Sequence, residues 1–238
     1  MLIGPYVNGT AVVVGGLVGA FMGTRLPERL RTALPLTFGL ASMGLGIVLI
    51  IKVTHMPAVV LAMVLGAMLG ELVYLERGIG RVAGVARSLV DKIFPPTEGL
   101  SHEEFMERFV AILVLFCASG TGIFGSMHEG MTGDPSILYI KAILDLFTSA
   151  IFATSLGYAV ATIAAPQLAI QLGLAALAAL ILPLVNESMM ADFSAAGGLI
   201  MFATGLRICG IKVFPVANML PALLLVMPFS HLWATFIH

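Results

Sequence analysis

Charge is what this chain has least of. Asp, Glu, Lys and Arg make up 11% of its 238 residues, and the formal net charge is -1. A soluble domain carries about 25% charged residues. With 59% hydrophobic residues and a mean hydropathy of +1.06, there is too little polar surface to cover a globular core. The near-neutral balance supplies no basic face for nucleic acid. The ten-residue alternating segments of a membrane β-barrel are missing too. Only Cys117 and Cys209 represent cysteine; both lie in apolar runs, far from any Cys-x-x-Cys spacing, and read as buried free thiols.

The signatures of enzyme chemistry are also missing. MHEGMT and SHEEFM both lack the second His of a zinc-protease helix. There is no Gly-x-Ser-x-Gly elbow and no phosphate loop. No enzyme is expected, and no cofactor beyond a bound sodium ion. No Lys or Arg precedes the first apolar run, which predicts that this run stays as a span instead of being cleaved.

What is present is a series of apolar runs, at 6–24, 33–51, 57–75, 108–126, 136–158, 167–185, 194–210 and 214–232. They predict one all-α polytopic membrane domain over 1–238 with about eight segments. Arg25, Arg29, Arg31, Arg77, Arg81, Arg87, Lys92, Arg108, Arg207 and Lys212 lie in or beside alternate connections. By the positive-inside rule these connections are cytoplasmic and both termini lie outside. Residues 76–96 read as an amphipathic helix on the cytoplasmic surface: Ile79, Val82, Ala86, Leu89 and Ile93 share a face, and Pro95 and Pro96 end it.

The two ends of the chain resemble each other. Glu28, Gly39, Leu40, Gly46, Ile51, Lys52 and Val53 match Glu187, Gly198, Leu199, Gly205, Ile211, Lys212 and Val213, with one residue of slippage. Three segments recurring after five would run in opposite directions, so the expectation is an inverted repeat of 1–75 and 160–232 with discontinuous helices, as secondary transporters have; chance matching in so apolar a sequence would give the same likeness. In VVVGGLVGAFMG the glycines 15, 19 and 23 form a small-residue stripe. It predicts tight helix packing within the chain or across a homo-oligomer, a dimer being favoured.

Lys141 and Asp145 are the candidate site's charged pair. Four apart, they share a helix face, and an ionised group at the bilayer centre costs roughly 2.5–3.5 kcal/mol on insertion scales. Such residues mark ion pathways, or else neutralise each other structurally. Within the central region, 105–158, FCASGTGIFGSMHEGMTGD fills with Ser119, Gly120, Thr121, Gly122, Gly125 and Ser126. These suit an unwound stretch offering carbonyl and hydroxyl oxygens to a cation, and equally suit close helix packing. Asn218, between Pro215 and Pro221, adds an amide to the shell or a cross-helix bond. Met127, His128 and Met131 fit a loop better than a soft-metal site. Glu71 and Asp192 sit at span ends, where an interface accounts for them.

Over nearly its whole length the chain resembles the YqgA/YdfK family of bacterial inner-membrane proteins, domain of unknown function 554. VNGTAVVVGGLVG, FCASGTGIFGSMHEGMTGD, KAILD, DFSAAGGLI and NMLPALL carry the resemblance. The resemblance implies a bacterial inner-membrane location. It also implies a sodium channel or pump, with Asp145, Asn218 and Asn8 as polar intramembrane positions. The expected activity is transport or conduction of a small cation across the bilayer, sodium ahead of proton. Two other activities fit the same residues: coupled transport of a small organic solute, and a non-transporting scaffold or signalling protein anchored through 76–94.

Overall fold

In the computed structural model, residues 2–25, 27–79, 81, 102–117 and 119–236 are described. Among them there is helix and no strand. The helices are α1 (Gly4–Met22), α2 (Glu28–Ile50), α3 (Met56–Leu72), α4 (His102–Cys117), α5 (Gly120–Thr132), α6 (Ser136–Leu156), α7 (Ala164–Ile181), α8 (Glu187–Ile208), α9 (Val216–Met219) and α10 (Ala222–Phe236). A 3-10 stretch, Gly157–Ile163, joins α6 to α7. Among the described residues six helical stretches are long and apolar enough to cross a bilayer, and α3 is a shorter apolar helix. The chain is a polytopic all-α membrane protein. Of the surface helix expected over 76–96, residues 80 and 82–96 lie outside the described residues.

The long apolar run from 136 breaks at Gly157, whose φ of 64° ends α6. Such a left-handed backbone suits glycine, which has no Cβ to clash. Pro57 near the start of α3 and Pro5 near the start of α1 occupy first-turn positions, where the missing N–H costs nothing.

The chain divides into two compact units, 1–35 with 77–177 and 36–76 with 178–238, the boundaries falling inside α2 and α7. In the first unit α1 lies against α6. Lipid tails are as apolar as leucine, so helices in a membrane associate through close packing rather than through expulsion of water. The glycine stripe serves this purpose: a Cβ on Gly15 would collide with Ser149 Oγ and the Leu146 carbonyl, and one on Gly19 with the Ala150 carbonyl. Gly15 and Gly19 are thus used inside the chain. The core of this unit gathers Val12 with Phe105, Phe109, Ile112 and Phe116 of α4 and Val160 and Ile163 of the 3-10 stretch. The Phe105 and Phe109 rings stack, their centroids 6.3 Å apart.

The second unit packs in the same manner. A Cβ on Gly39 would come within 2.9 Å of the Gly205 carbonyl, and one on Gly46 within 2.6 Å of the Gly198 carbonyl, so α2 and α8 run antiparallel with backbones nearly touching. Gly66 and Gly70 of α3 similarly abut Ala222 and Asn218.

Candidate functional site

Three helices of the first unit each bring a polar stripe to one place. On α6, Leu138, Lys141, Ala142, Asp145 and Ser149 share one helix face and are buried, while Tyr139, Ile143 and Phe147 on the opposite side are exposed. On α1 the buried face carries Asn8 between Gly4 and Val12. On α7, Gln167 and Gln171 lie one turn apart. Asn8 and Gln167 are fully buried, and Asp145 is 8% exposed.

The side chains meet at Asp145. Its Oδ2 accepts from Lys141 Nζ at 2.6 Å, Asn8 Nδ2 at 2.8 Å and Gln167 Nε2 at 2.8 Å. Among the described residues Oδ1 takes none of these bonds. Asn8 Oδ1 accepts from Gln167 Nε2 at 2.8 Å and from Gln171 Nε2 at 3.3 Å. The carboxylate therefore turns every nearby amide so that its NH₂ points inward. Gln167 Nε2 serves two acceptors at once, which only a nitrogen bearing two hydrogens can do. That arrangement leaves Gln167 Oε1 and Gln171 Oε1 buried without a partner. A buried unsatisfied polar oxygen costs about 1–3 kcal/mol, so the cluster holds acceptor capacity that the fold does not use. The Lys141 ammonium also lies 5.6 Å from the centre of the Phe116 ring, within cation–π range.

The glycine- and hydroxyl-rich segment has a different form from the one expected. From Gly120 to Thr132 it is regular helix. Ser119 is the N-cap of α5, its Oγ accepting from Gly122 N at 3.0 Å. Ser126 Oγ donates to the Gly122 carbonyl at 2.6 Å. With a capping serine and a run of intact turns, propensity yields to tertiary packing: Gly122 is where the Lys141 stem passes, a Cβ there standing 2.8 Å from Lys141 Cε. Thr121 is buried in the first turn of α5. Gly122 and Lys141 are thus brought together, and the unwound run of free carbonyls from 119 to 126 is not formed.

Asn218 belongs to the second unit, where its Oδ1 accepts from Glu76 N at 2.7 Å. Arg207 Nη1 donates to Glu76 Oε1 at 2.7 Å and to the Phe214 carbonyl at 3.0 Å, so Asn218 helps to tie the turn after α8. Asp192, expected at an interface, is fully buried. Its Oδ1 accepts from Thr54 N and His55 N, both at 2.8 Å. Its Oδ2 takes Ser230 Oγ at 2.6 Å and lies 2.9 Å from His55 Nδ1. These backbone donors are the N-cap of α3, His55, and the residue before it, and a helix N-terminus is a natural seat for a carboxylate. Glu129 does the same for α1, its Oε1 accepting from Ile3 N at 2.8 Å and Gly4 N at 2.9 Å.

Gln167 and Gln171 are the site residues that sequence reasoning missed. Their spacing of four inside an apolar run was a visible signal, but uncharged amides in membrane helices are usually read as helix glue. A cleft of about 410 Å³ opens between α1 and residues 161–168, with Tyr6, Thr10 and Thr162 as its polar lining. Gly9 and Leu168, which line it, adjoin Asn8 and Gln167 in sequence.

The fold and site are those of a multi-pass helical membrane protein with a buried acid–base pair among amides. The model of the family described as "Protein of unknown function (DUF554)" matches residues 3–231, and the chain belongs to that family. It is 58% identical over 233 residues to a protein of Escherichia coli (strain K12) named "Uncharacterized protein YqgA", covering 98% of each chain. It is 24% identical over 230 residues to "Uncharacterized membrane protein YdfK" of Bacillus subtilis (strain 168), covering 94% of this chain and 93% of that one. No solved structure matches.

Proposed function

We propose that this protein carries or conducts a small monovalent cation, sodium ahead of proton, across the bacterial inner membrane, without enzymatic chemistry. Asp145 is the charged centre of its site. The observation that carries this reading is the buried Lys141–Asp145 pair, at 2.6 Å, in an amide cage with unused acceptor oxygens. A pair that served stability alone gains little by burial. The desolvation of both charges offsets their attraction, and apolar replacements are often as stable. Ionisable groups inside membrane helices are typically found on ion and proton pathways.

The pattern of helix contacts supports an inverted repeat. Asn8 and Gln167 are 159 residues apart and hydrogen-bonded. Ser42 and Met201 are also 159 apart, and Ser42 Oγ donates to the Met201 carbonyl at 2.9 Å. On that offset Gly39 is the mate of Gly198, and Gly46 of Gly205. In the second unit Gly39 packs on Gly205 and Gly46 on Gly198. Each glycine meets the mate of the other, the reciprocal pairing that a twofold axis produces. Inverted repeats with sites near the midplane characterise secondary transporters. With the basic residues gathered in alternate connections, the termini lie on the outer side.

The test is sodium uptake into liposomes holding the purified protein. Uptake is expected above that of empty liposomes, and absent in a folded Asp145→Asn variant. No uptake by the native protein, or full uptake by the variant, contradicts the proposal.

A further inference from the structure

We infer that the carboxamides of Gln167 and Gln171 are ligands of the transported cation, and that Lys141 is a tethered ion which the cation displaces from Asp145. This inference rests on the proposed transport function and specifies how the same site would bind.

The hydrogen bonds favour it in three ways. First, the cluster is complete only from the side of its donors. Lys141, Asn8 and Gln167 all give hydrogens to Asp145 Oδ2, while the Gln167 and Gln171 carbonyl oxygens, each joined to a nitrogen already bonded into the cluster, have no donor. Buried oxygens in native proteins nearly always find partners. An oxygen-seeking cation is the partner whose chemistry supplies what they lack.

Second, the change needed is small. The terminal torsion of glutamine is broad and nearly twofold. A half-turn of each amide replaces the inward NH₂ by the carbonyl oxygen, once a cation has taken the place of the ammonium. The bonds given up are those to Asp145 and Asn8, and the oxygens that were bare become ligands. Asp145 and Asn8 Oδ1 remain to share the shell.

Third, Lys141 has somewhere to go. Its stem lies against Gly122, and its ammonium faces the Phe116 ring. Phe116 is in the last turn of α4, which ends at Cys117. The last carbonyls of a helix have no intrahelical partner and form its negative end. The last carbonyls of α4 therefore offer a seat for the displaced ammonium beside the site. On this reading the end of α4 receives the lysine, and the cation is held by α1, α6 and α7.

The experiment is a sodium titration followed by thermal unfolding in detergent, at constant ionic strength with choline. It compares the native protein with Asp145→Asn, Gln167→Met, Gln171→Met and Lys141→Met. The expected result is sodium-specific stabilisation of the native protein that disappears in Asp145→Asn. Each Gln→Met change is expected to raise the sodium midpoint about tenfold, the scale of one lost charge-assisted contact. Lys141→Met is expected to lower it about tenfold or more, because the competing ammonium is gone. Gln171 makes a single long bond in the cluster, so its variant is expected to fold even if Gln167→Met does not. Native midpoints in folded Gln171→Met and Lys141→Met overturn this inference while leaving a cation site at Asp145 intact. No sodium-specific stabilisation of the native protein overturns the transport reading, and the inference with it.

Discussion

Asp145 and Asp192 are both buried carboxylates in apolar helices, one in each unit, yet they are held by different kinds of partner. Asp192 has each oxygen engaged, two of its donors being backbone N–H groups at the start of α3. Backbone donors cannot leave, and a carboxylate at a helix N-terminus is where the macrodipole favours it. Asp145 is held by side chains alone, all on one oxygen: an ammonium and two amides, each able to rotate away. Around Asp192 the acceptor capacity is used, and around Asp145 it is left over in Gln167 and Gln171. Burial of an acid thus does not by itself mark a site. What distinguishes the two is whether their partners can exchange.

The largest expected effect breaks the Asp145 side of this comparison. Asp145→Ala leaves Lys141 buried and unpaired, and removing one member of such a pair costs about 3–5 kcal/mol. A large fall in Tm is expected, with most of it recovered in the double variant Asp145→Leu with Lys141→Met. A double variant as unstable as the single one would show that something other than the stranded charge is responsible. At Asp192 the expected loss is smaller. Asp192→Ala strands the buried Ser230 hydroxyl, while the Thr54 and His55 donors are only part-buried, and a buried donor left unsatisfied costs about 1–3 kcal/mol. Its stabilisation by sodium is expected to persist, measured by unfolding in sodium and choline salts. Loss of the sodium response there would erase the distinction between the two carboxylates.

Ser119→Ala probes the cap of α5. Loss of an N-cap costs typically about 1 kcal/mol. Unfolding should report that modest change, with the sodium midpoint unaltered. A shifted midpoint would make Ser119 a ligand rather than a cap. The smallest expected effect on stability is that of Gln171→Met, which exchanges one amide with an orphaned oxygen for an apolar chain of similar length. Asn8 Oδ1 keeps its bond from Gln167 Nε2, so the exchange strands no partner, and its Tm without sodium is expected to match that of the native protein.

Much of the architecture was legible because hydropathy and membrane thickness tightly limit what the chain can do. The runs at 33–51 and 194–210 correspond to α2 and α8, whose first residues, Glu28 and Glu187, are those that opened the matched stretches. The Lys141–Asp145 pair was legible for the same reason: charge in an apolar helix is conspicuous, and a spacing of four sets both on one face. Three features were harder to read. Asn8, Gln167 and Asp145 are far apart in sequence, and their meeting is a consequence of how α1, α6 and α7 pack. The glycine-rich segment is helical from Gly120 because Ser119 caps it, which composition alone does not reveal. Asp192 looked like an interfacial acid because its partners, Thr54 and His55, come from another helix end more than a hundred residues away.

The central claim is that Asp145 lies at a cation site, and thermal unfolding in sodium, potassium, lithium and choline salts at matched ionic strength tests it most directly. An ion bound only by the folded protein stabilises it by about 2.7 kcal/mol at a hundredfold excess over its dissociation constant. The account predicts such a shift in sodium for the native protein and none for Asp145→Asn. Identical curves in all four salts, or an equal sodium shift in both proteins, would contradict it.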